Sequence, residues 1–443
     1  MSAASGSRPA AFAGWVPFAD VPRLLADLTP LRVSRPYRRL WAGLSLANVG
    51  TQLAVVAVGL QVYDLSGSSL SVGLVGLFAL VPLVLLGLYG GSIVDAHDRR
   101  KVALGASIGL WFVAVLIALQ AWLEVGSVWL LYGLVAAQSA CFAINNPARS
   151  AILPRLLPVD LLPAANALQS LSWNLGFTVG PLLAGVLIGK LGYGVAYTVD
   201  AVGLGIAIWT LFRLPALPPE GEVRRAGLRS VLEGLRFLGT RPNVRMTFLV
   251  DMAAMVLAQP RAIFPAVGAV LLGGGPTTVG ILSAAVAAGS MLAALLSGPL
   301  GHVRRQGLVT CWAVIGWGVS IAGFGVVVAI APRPGPGEVS GWLWVAAVAL
   351  ACAGASDSVS AVFRTTILQA ATPDVLRGRL QGVFIVVVAG GPRLGDLVAG
   401  GAADALSVPV AVIGGGVLCC LAVVALARFQ PRFVAYDARH PTP

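Results

Sequence analysis

The sequence predicts an all-α membrane protein whose twelve transmembrane helices form two pseudo-symmetric six-helix halves. Three observations lead there. Charged residues make up 11% of the 443 positions and apolar residues 57%, whereas a soluble domain carries roughly 25% charged residues. Apolar runs of about 20 residues, the length a helix needs to cross hydrocarbon, recur along the chain. The chain also repeats itself. Arg149-Ser150-Ala151-Ile152-Leu153, followed by Pro158 and Leu161, returns as Arg364-Thr365-Thr366-Ile367-Leu368, followed by Pro373 and Leu376. Gly180-Pro181 returns as Gly391-Pro392.

Residues 1–34 read as an N-terminal arm without a secretory signal, because the apolar part near Ala10 to Val16 is short and broken by Gly14 and Pro17. The first half, 35–212, opens with the basic anchor Arg35-Pro36-Tyr37-Arg38-Arg39 and holds spans at 40–63, 71–94, 102–123, 127–146, 165–189 and 193–212. A polar loop, 213–243, leads to the second half, 244–428, with spans at 244–270, 277–299, 307–331, 341–363, 380–402 and 406–427, then a tail at 429–443. Trp41, Trp122, Trp129, Trp342 and Trp344 fall at span ends, where amphipathic rings sit at the lipid headgroups. The five Cys fall inside spans without metal-ligand spacing and read as small apolar packing residues.

The basic residues orient the molecule. Arg261 and Arg393 fall inside spans, and Lys190 and Arg333 lie on the side of the short connections. Every other Lys and Arg is placed on the side that holds both termini, which the positive-inside rule makes cytoplasmic. The net charge of +12 is thus a topology signal, with attraction to anionic membrane lipid as a by-product. Nucleic-acid binding would need a basic patch on a soluble domain, and there is none. His97, His302 and His440 are the only histidines; all lie in loops or the tail, so no enzyme site or metal site assembles within the spans. No GxxxxGK[ST] loop occurs, which argues against direct use of ATP. The residues imply no cofactor.

Gly91-Ser92-Ile93-Val94-Asp95-Ala96-His97-Asp98-Arg99-Arg100-Lys101, between the second and third spans, concentrates charge where the chain is otherwise apolar. It resembles the signature of the major facilitator superfamily at that place, with Asp98 standing where the family has Gly. The expectation is a turn built on a residue that tolerates unusual backbone angles. The resemblance implies a conformational gate made by Gly91, Asp95, Asp98, Arg99, Arg100 and Lys101; plain topology anchoring is the competing reading. Asn145-Asn146-Pro147-Ala148-Arg149, then Leu162-Pro163-Ala164-Ala165-Asn166, resembles the branch of bacterial siderophore exporters and macrolide-efflux proteins. Gln61-Val62-Tyr63-Asp64-Leu65-Ser66-Gly67-Ser68 and Gly391-Pro392-Arg393-Leu394-Gly395-Asp396 do the same. Gly176, Gly180, Pro181 and Gly185 resemble a fifth-span motif of drug:proton antiporters; close packing around a proline bend explains them equally well.

Charge inside a span costs at least about 2.5–3.5 kcal/mol, so such groups are candidate sites. Asp251, without a partner within one turn, is the first choice for proton coupling, against a bond to a neighbouring helix or to Arg261. Asp396, Arg393 and Arg261 are the further proton-coupling candidates. Arg393 and Asp396 stand i, i+3 and can pair on one face, so a neutralised structural pair beside Gly391-Pro392 explains them as well as a substrate or proton site does. Asp200 and Asp357 read as interhelical hydrogen-bonding groups. Asn48, Gln52 and Tyr63 on the first span, Gln138 and Asn145 on the fourth, and Asn166, Gln169, Trp173 and Asn174 on the fifth suit a wide cavity for an amphipathic solute. The expected protein is a monomeric exporter of siderophore-like or drug-like small molecules working by alternating access in exchange for protons. A lipid or glycolipid flippase of the same fold and a proton-coupled importer are the alternatives.

Overall fold

The protein is described here by a computed structural model covering residues 27–96, 98–214, 236, 238–298, 300, 303–335, 338–370 and 374–437. Among these residues the chain is helical, and its only strand-like pairing is one bridge between Gly273 and Val339. After a short turn of helix at Thr29–Val33, the spans are α1 (Arg35–Ser66), α2 (Ser69–Ala96), α3 (Arg99–Trp122) and α4 (Val128–Leu156). Leu162–Phe212 is 51 residues of helix, about 76 Å and far more than one bilayer core of about 30 Å. It breaks at Gly192 (φ 82, ψ 176), a left-handed backbone that glycine adopts without a Cβ penalty. The break divides it into α5 (162–191) and α6 (193–212). Then follow α7 (Pro242–Leu271), α8 (Gly275–Leu295), α9 (Gln306–Ile330), α10 (Trp342–Ala370), α11 (Asp374–Ala405) and α12 (Val408–Phe429). Ten stretches among the described residues are long and apolar enough to cross a membrane. Counting α5 and α6 separately and adding α11 gives the twelve expected.

Short polar residues set several ends. The Ser34 hydroxyl accepts from the Tyr37 N–H at 3.3 Å to start α1, and Ser127 does the same for Leu130 at α4. Gly67, at φ 64, closes α1 in the left-handed region. The observed helices overrun the expected spans, most of all α4 and α10, which reach Leu156 and Ala370 rather than 146 and 363. The consequence is that Arg149 and Arg364 lie within helices.

Within the first half, α1 packs along the 162–212 stretch, α2 along α4, and α3 along α4 and α6. The second half repeats the scheme, with α8 on α10 and α9 on α10 and α12. The halves meet through two equivalent seams, α2 with α11 and α5 with α8. The repeated Gly-Pro pair has equivalent surroundings: a Cβ at Gly180 would lie 2.7 Å from the Gln52 Cβ of α1, and one at Gly391 would lie 3.2 Å from the Met255 Cβ of α7. Each half thus packs its fifth helix onto its first.

α7 is discontinuous. Regular helix ends at Leu257, Arg261–Ile263 form a 3₁₀ turn, and Val267–Leu271 a π turn. The Trp317 indole N–H of α9 donates to the Ala258 carbonyl at 3.2 Å, satisfying a group the break releases. With twelve spans, both termini share one face of the bundle; the opposite face is called distal below.

Candidate functional site

The inter-half seams hold the chemistry. At the distal surface Asp404, in the last turn of α11, accepts hydrogen bonds from the Ser69 N–H at 2.9 Å, the Leu70 N–H at 3.2 Å and the Ser68 hydroxyl. The second half therefore caps the first turn of α2 with a carboxylate, where the exposed N–H groups favour negative charge. Deeper along the same seam, Gly76 of α2 lies against the Arg393 backbone of α11, and Leu80 against Gly390. On the other seam, a Cβ at Gly185 would meet the Pro276 carbonyl oxygen at 2.8 Å, and one at Gly280 the Pro181 carbonyl oxygen at 2.5 Å. The distal end is closed by direct contact between halves.

Toward the face carrying the termini, the Arg364 guanidinium of α10 forms an ion pair with Asp251 of α7 and a second, at 3.3 Å, with Asp357 of its own helix. The side chains are 13%, 10% and 34% exposed in that order. Asp251 thus has a partner, and it is neither a lone acid nor paired with Arg261. Sequence reasoning missed Arg364 because it ended the tenth span at 363; the repeat that matches Arg364 to Arg149 was the available signal. Asp357 likewise pairs with that arginine, while Asp200 accepts from the Thr51 hydroxyl of α1 at 3.3 Å, the interhelical bond expected for it.

Arg393 and Asp396 sit where α11 crosses the break in α7. Asp396 has the Arg261 and Arg393 guanidinium groups as electrostatic neighbours and the Ala262 backbone N–H directed at it. One carboxylate oxygen, Asp396 Oδ1, is buried without a hydrogen-bond partner. The cluster is therefore more than the Arg393–Asp396 pair expected, since Arg261 joins it from another helix.

The polar candidates of the first half separate into groups. The Asn48 amide donates to the Ser172 hydroxyl at 3.0 Å, and Gln52 packs on Gly180, so both lie on the α1–α5 contact. The Asn145 amide donates to the Ala103 carbonyl at 3.1 Å and the Ser107 hydroxyl at 2.7 Å, which binds α4 to α3. Trp173 stacks with Phe177 at 6.0 Å between ring centroids. Asn166 and Asn174 are exposed, and Gln138, Gln169 and Tyr63 half-buried. A cleft of about 270 Å³ lies between α1, α3 and α6, walled by Leu46, Trp122, Val199 and Val202. It is apolar and touches none of these candidates.

In the charged turn, Asp98 has φ −57 and ψ 117 and its side chain accepts from the Arg100 N–H at 2.9 Å and the Lys101 N–H at 3.2 Å. No unusual backbone is needed: Asp98 is the N-cap of α3. Arg100 donates to the Phe212 carbonyl at 2.5 Å and lies over the Phe212 ring, contacts made inside the first half. The side-chain surroundings of Gly91, Asp95 and Arg99 lie outside the described residues.

Residues 25–442 match the model of the family described as transmembrane secretion effector. The enterobactin exporter EntS of Shigella boydii serotype 18 is 29% identical over 431 residues, covering 94% of this chain and 99% of the relative. The protein of that name from Escherichia coli strain SMS-3-5 / SECEC is 28% identical with the same coverage. Among solved structures, the POT family transporter PepTSo superposes with a TM-score of 0.72 at 13% identity, over 91% of this chain and 99% of that one. A bacterial homologue of the iron transporter ferroportin superposes with 0.63 at 16% identity, over 89% and 98%. Helix order, paired seams and the near full-length family match agree: the chain belongs to the transmembrane secretion effector family, a branch of the major facilitator superfamily of multi-pass membrane transporters.

Proposed function

We propose that this protein exports an amphipathic small molecule, siderophore-like or drug-like, from the cytoplasm by alternating access in exchange for protons. The observation that carries export is the likeness to enterobactin exporters along 94% of the chain. In this reading the termini and the charged turn at 91–101 face the cytoplasm, and one chain in membrane lipid is the working unit. The distal contacts at Asp404 and Gly185 hold the outer end shut while substrate enters from inside, and they part to release it.

Proton coupling rests on charge balance. Arg364 stands between two carboxylates, Asp251 and Asp357, so the cluster carries one negative charge beyond what its cation balances. Uncompensated charge is costly at membrane depth, and a proton is the counter-charge that antiport supplies. Arg364 bonds both across to α7 and along its own helix. Protonating Asp251 frees it for Asp357 and loosens α10 from α7.

The test uses proteoliposomes loaded with a pH dye and a panel of siderophores, macrolides and dyes. Proton movement that depends on substrate and disappears in Asp251→Asn supports antiport at this cluster. Substrate export without proton flux under any gradient overturns antiport. Lipid translocation in place of solute export favours a flippase.

A further inference from the structure

The cluster at the break in α7 has a feature that proton coupling does not use. Arg261 is exposed although Gln259, Pro260, Ala262 and Ile263 around it are buried. The 3₁₀ turn that carries it touches α11 and also α2 of the opposite half, and the next turn, Phe264–Ala266, touches α1. Arg261 thus opens onto the seam between halves, about two-thirds of the way along α7 toward the closed distal end. Among the described residues it makes no hydrogen bond and no ion pair. Its one nearby carboxylate, Asp396, also has Arg393 beside it and keeps Oδ1 unbonded.

An unbonded guanidinium facing an internal seam would be expensive if nothing ever met it. Its planar fork of donors is suited to a carboxylate or another anionic oxygen pair. A siderophore presents hard oxygen donors of this kind to its metal.

We propose that Arg261, with Arg393 behind it, is a binding site for an anionic oxygen group of the exported molecule, and that Asp396 is the internal carboxylate it displaces. This rests on the export reading. The substrate class it names is an organic acid that carries a carboxylate or another anionic oxygen pair, rather than a neutral or cationic drug. Arrival of the anion would exchange the Asp396 contact for a bond to the substrate at the point where α2, α7 and α11 meet, just beneath the distal closure.

The test is equilibrium binding to the full-length protein in phosphatidylcholine nanodiscs. The probes are 2,3-dihydroxybenzoate and uncharged 2,3-dihydroxybenzamide, which differ by one negative charge. Wild type should prefer the acid by about tenfold or more, the scale of one charged hydrogen-bonding contact. Arg261→Gln should bring the ratio near one by weakening the acid far more than the amide, and Arg261→Lys should keep part of the preference. Asp396→Asn should tighten the acid several-fold and leave the amide alone, a result no purely structural role predicts. A preference that survives Arg261→Gln overturns the site, as does an Asp396→Asn variant that weakens both probes equally. Displacement of the acid by added phosphatidylglycerol makes this a lipid-headgroup site and also overturns the assignment. Binding of neither probe sinks the site, while export is judged separately in proteoliposomes. Acid bound by Arg261 but not exported would leave the site standing and remove the export reading.

Discussion

Asp404, one residue before the end of α11, accepts a hydrogen bond from the Ser69 backbone N–H of α2 at 2.9 Å. This joins the two halves at the distal surface by a carboxylate on a helix N-terminus, reinforced by Leu70 and Ser68. A hydrogen bond to a charged group is worth about 1.5–3 kcal/mol, so its loss should move the two-state balance by about tenfold or more. Asp404→Ala is expected to favour the distally open state. Pulsed electron paramagnetic resonance between spin labels at Leu65→Cys and Leu406→Cys, on a background without the native cysteines, should then gain a longer distance component. An unchanged distribution would show that the glycine seam alone holds the end shut.

The Asp251–Arg364–Asp357 cluster predicts unequal costs for its members. Asp251→Asn leaves Arg364 with Asp357, whereas Arg364→Gln leaves a buried carboxylate, Asp251, and a half-buried one, Asp357, without a cation. Removing one partner of a buried pair costs about 3–5 kcal/mol. The arginine variant should therefore lose clearly more thermal stability in detergent than Asp251→Asn. Adding Asp251→Asn to Arg364→Gln should restore part of the loss. Equal losses in the two single variants would mean that Asp357 does not compensate.

Much of this architecture was legible because hydrocarbon solvent leaves few choices. Long apolar runs can only be spans, and the Gly180-Pro181 and Gly391-Pro392 echo marked equivalent packing in the two halves. What stayed hidden were partners chosen by tertiary contact. Asp404 looked like part of a three-residue connection, since nothing local shows that its carboxylate reaches α2. Arg364 looked cytoplasmic, because hydropathy falls at Arg364 while helical hydrogen bonding continues to Ala370. Asn145 shared a helical face with Gln138, yet it bonds to α3, and periodicity places a face without naming its neighbour. The break in α7 after Leu257 stayed hidden too, because apolar residues run through 244–270 as if through one span, and so did the helix that crosses it.

Gly185 separates packing from motion. A methyl group there would meet the Pro276 carbonyl oxygen at 2.8 Å and the Thr277 Cα at 3.0 Å, both backbone of the opposite half. At Gly189, one turn on, the nearest atom is Thr277 Oγ1 at 3.8 Å. Overpacking costs about 1–3 kcal/mol, and here it falls only on the state with the halves in contact distally. Gly185→Ala should slow transport about tenfold while melting near wild type; Gly189→Ala should transport normally. A large drop in melting temperature for Gly185→Ala would assign the glycine to folding instead.

Asp98 offers a test of the charged turn that needs no substrate. As the N-cap of α3 its carboxylate meets the Arg100 and Lys101 N–H groups, and the backbone there stays at negative φ. Replacing a capping Asp by Ala costs about 0.5–2 kcal/mol, whereas Asn is equivalent and Gly loses only a few tenths. The expected order of melting temperature is therefore wild type and Asp98→Asn together, Asp98→Gly slightly lower, and Asp98→Ala clearly lowest. If the turn depended on a left-handed backbone, Gly would instead raise stability above wild type, with Asn holding near wild type and Ala lowest. The cap explains how an acidic residue can stand where the superfamily carries glycine, because both are tolerated at this helix start for different physical reasons.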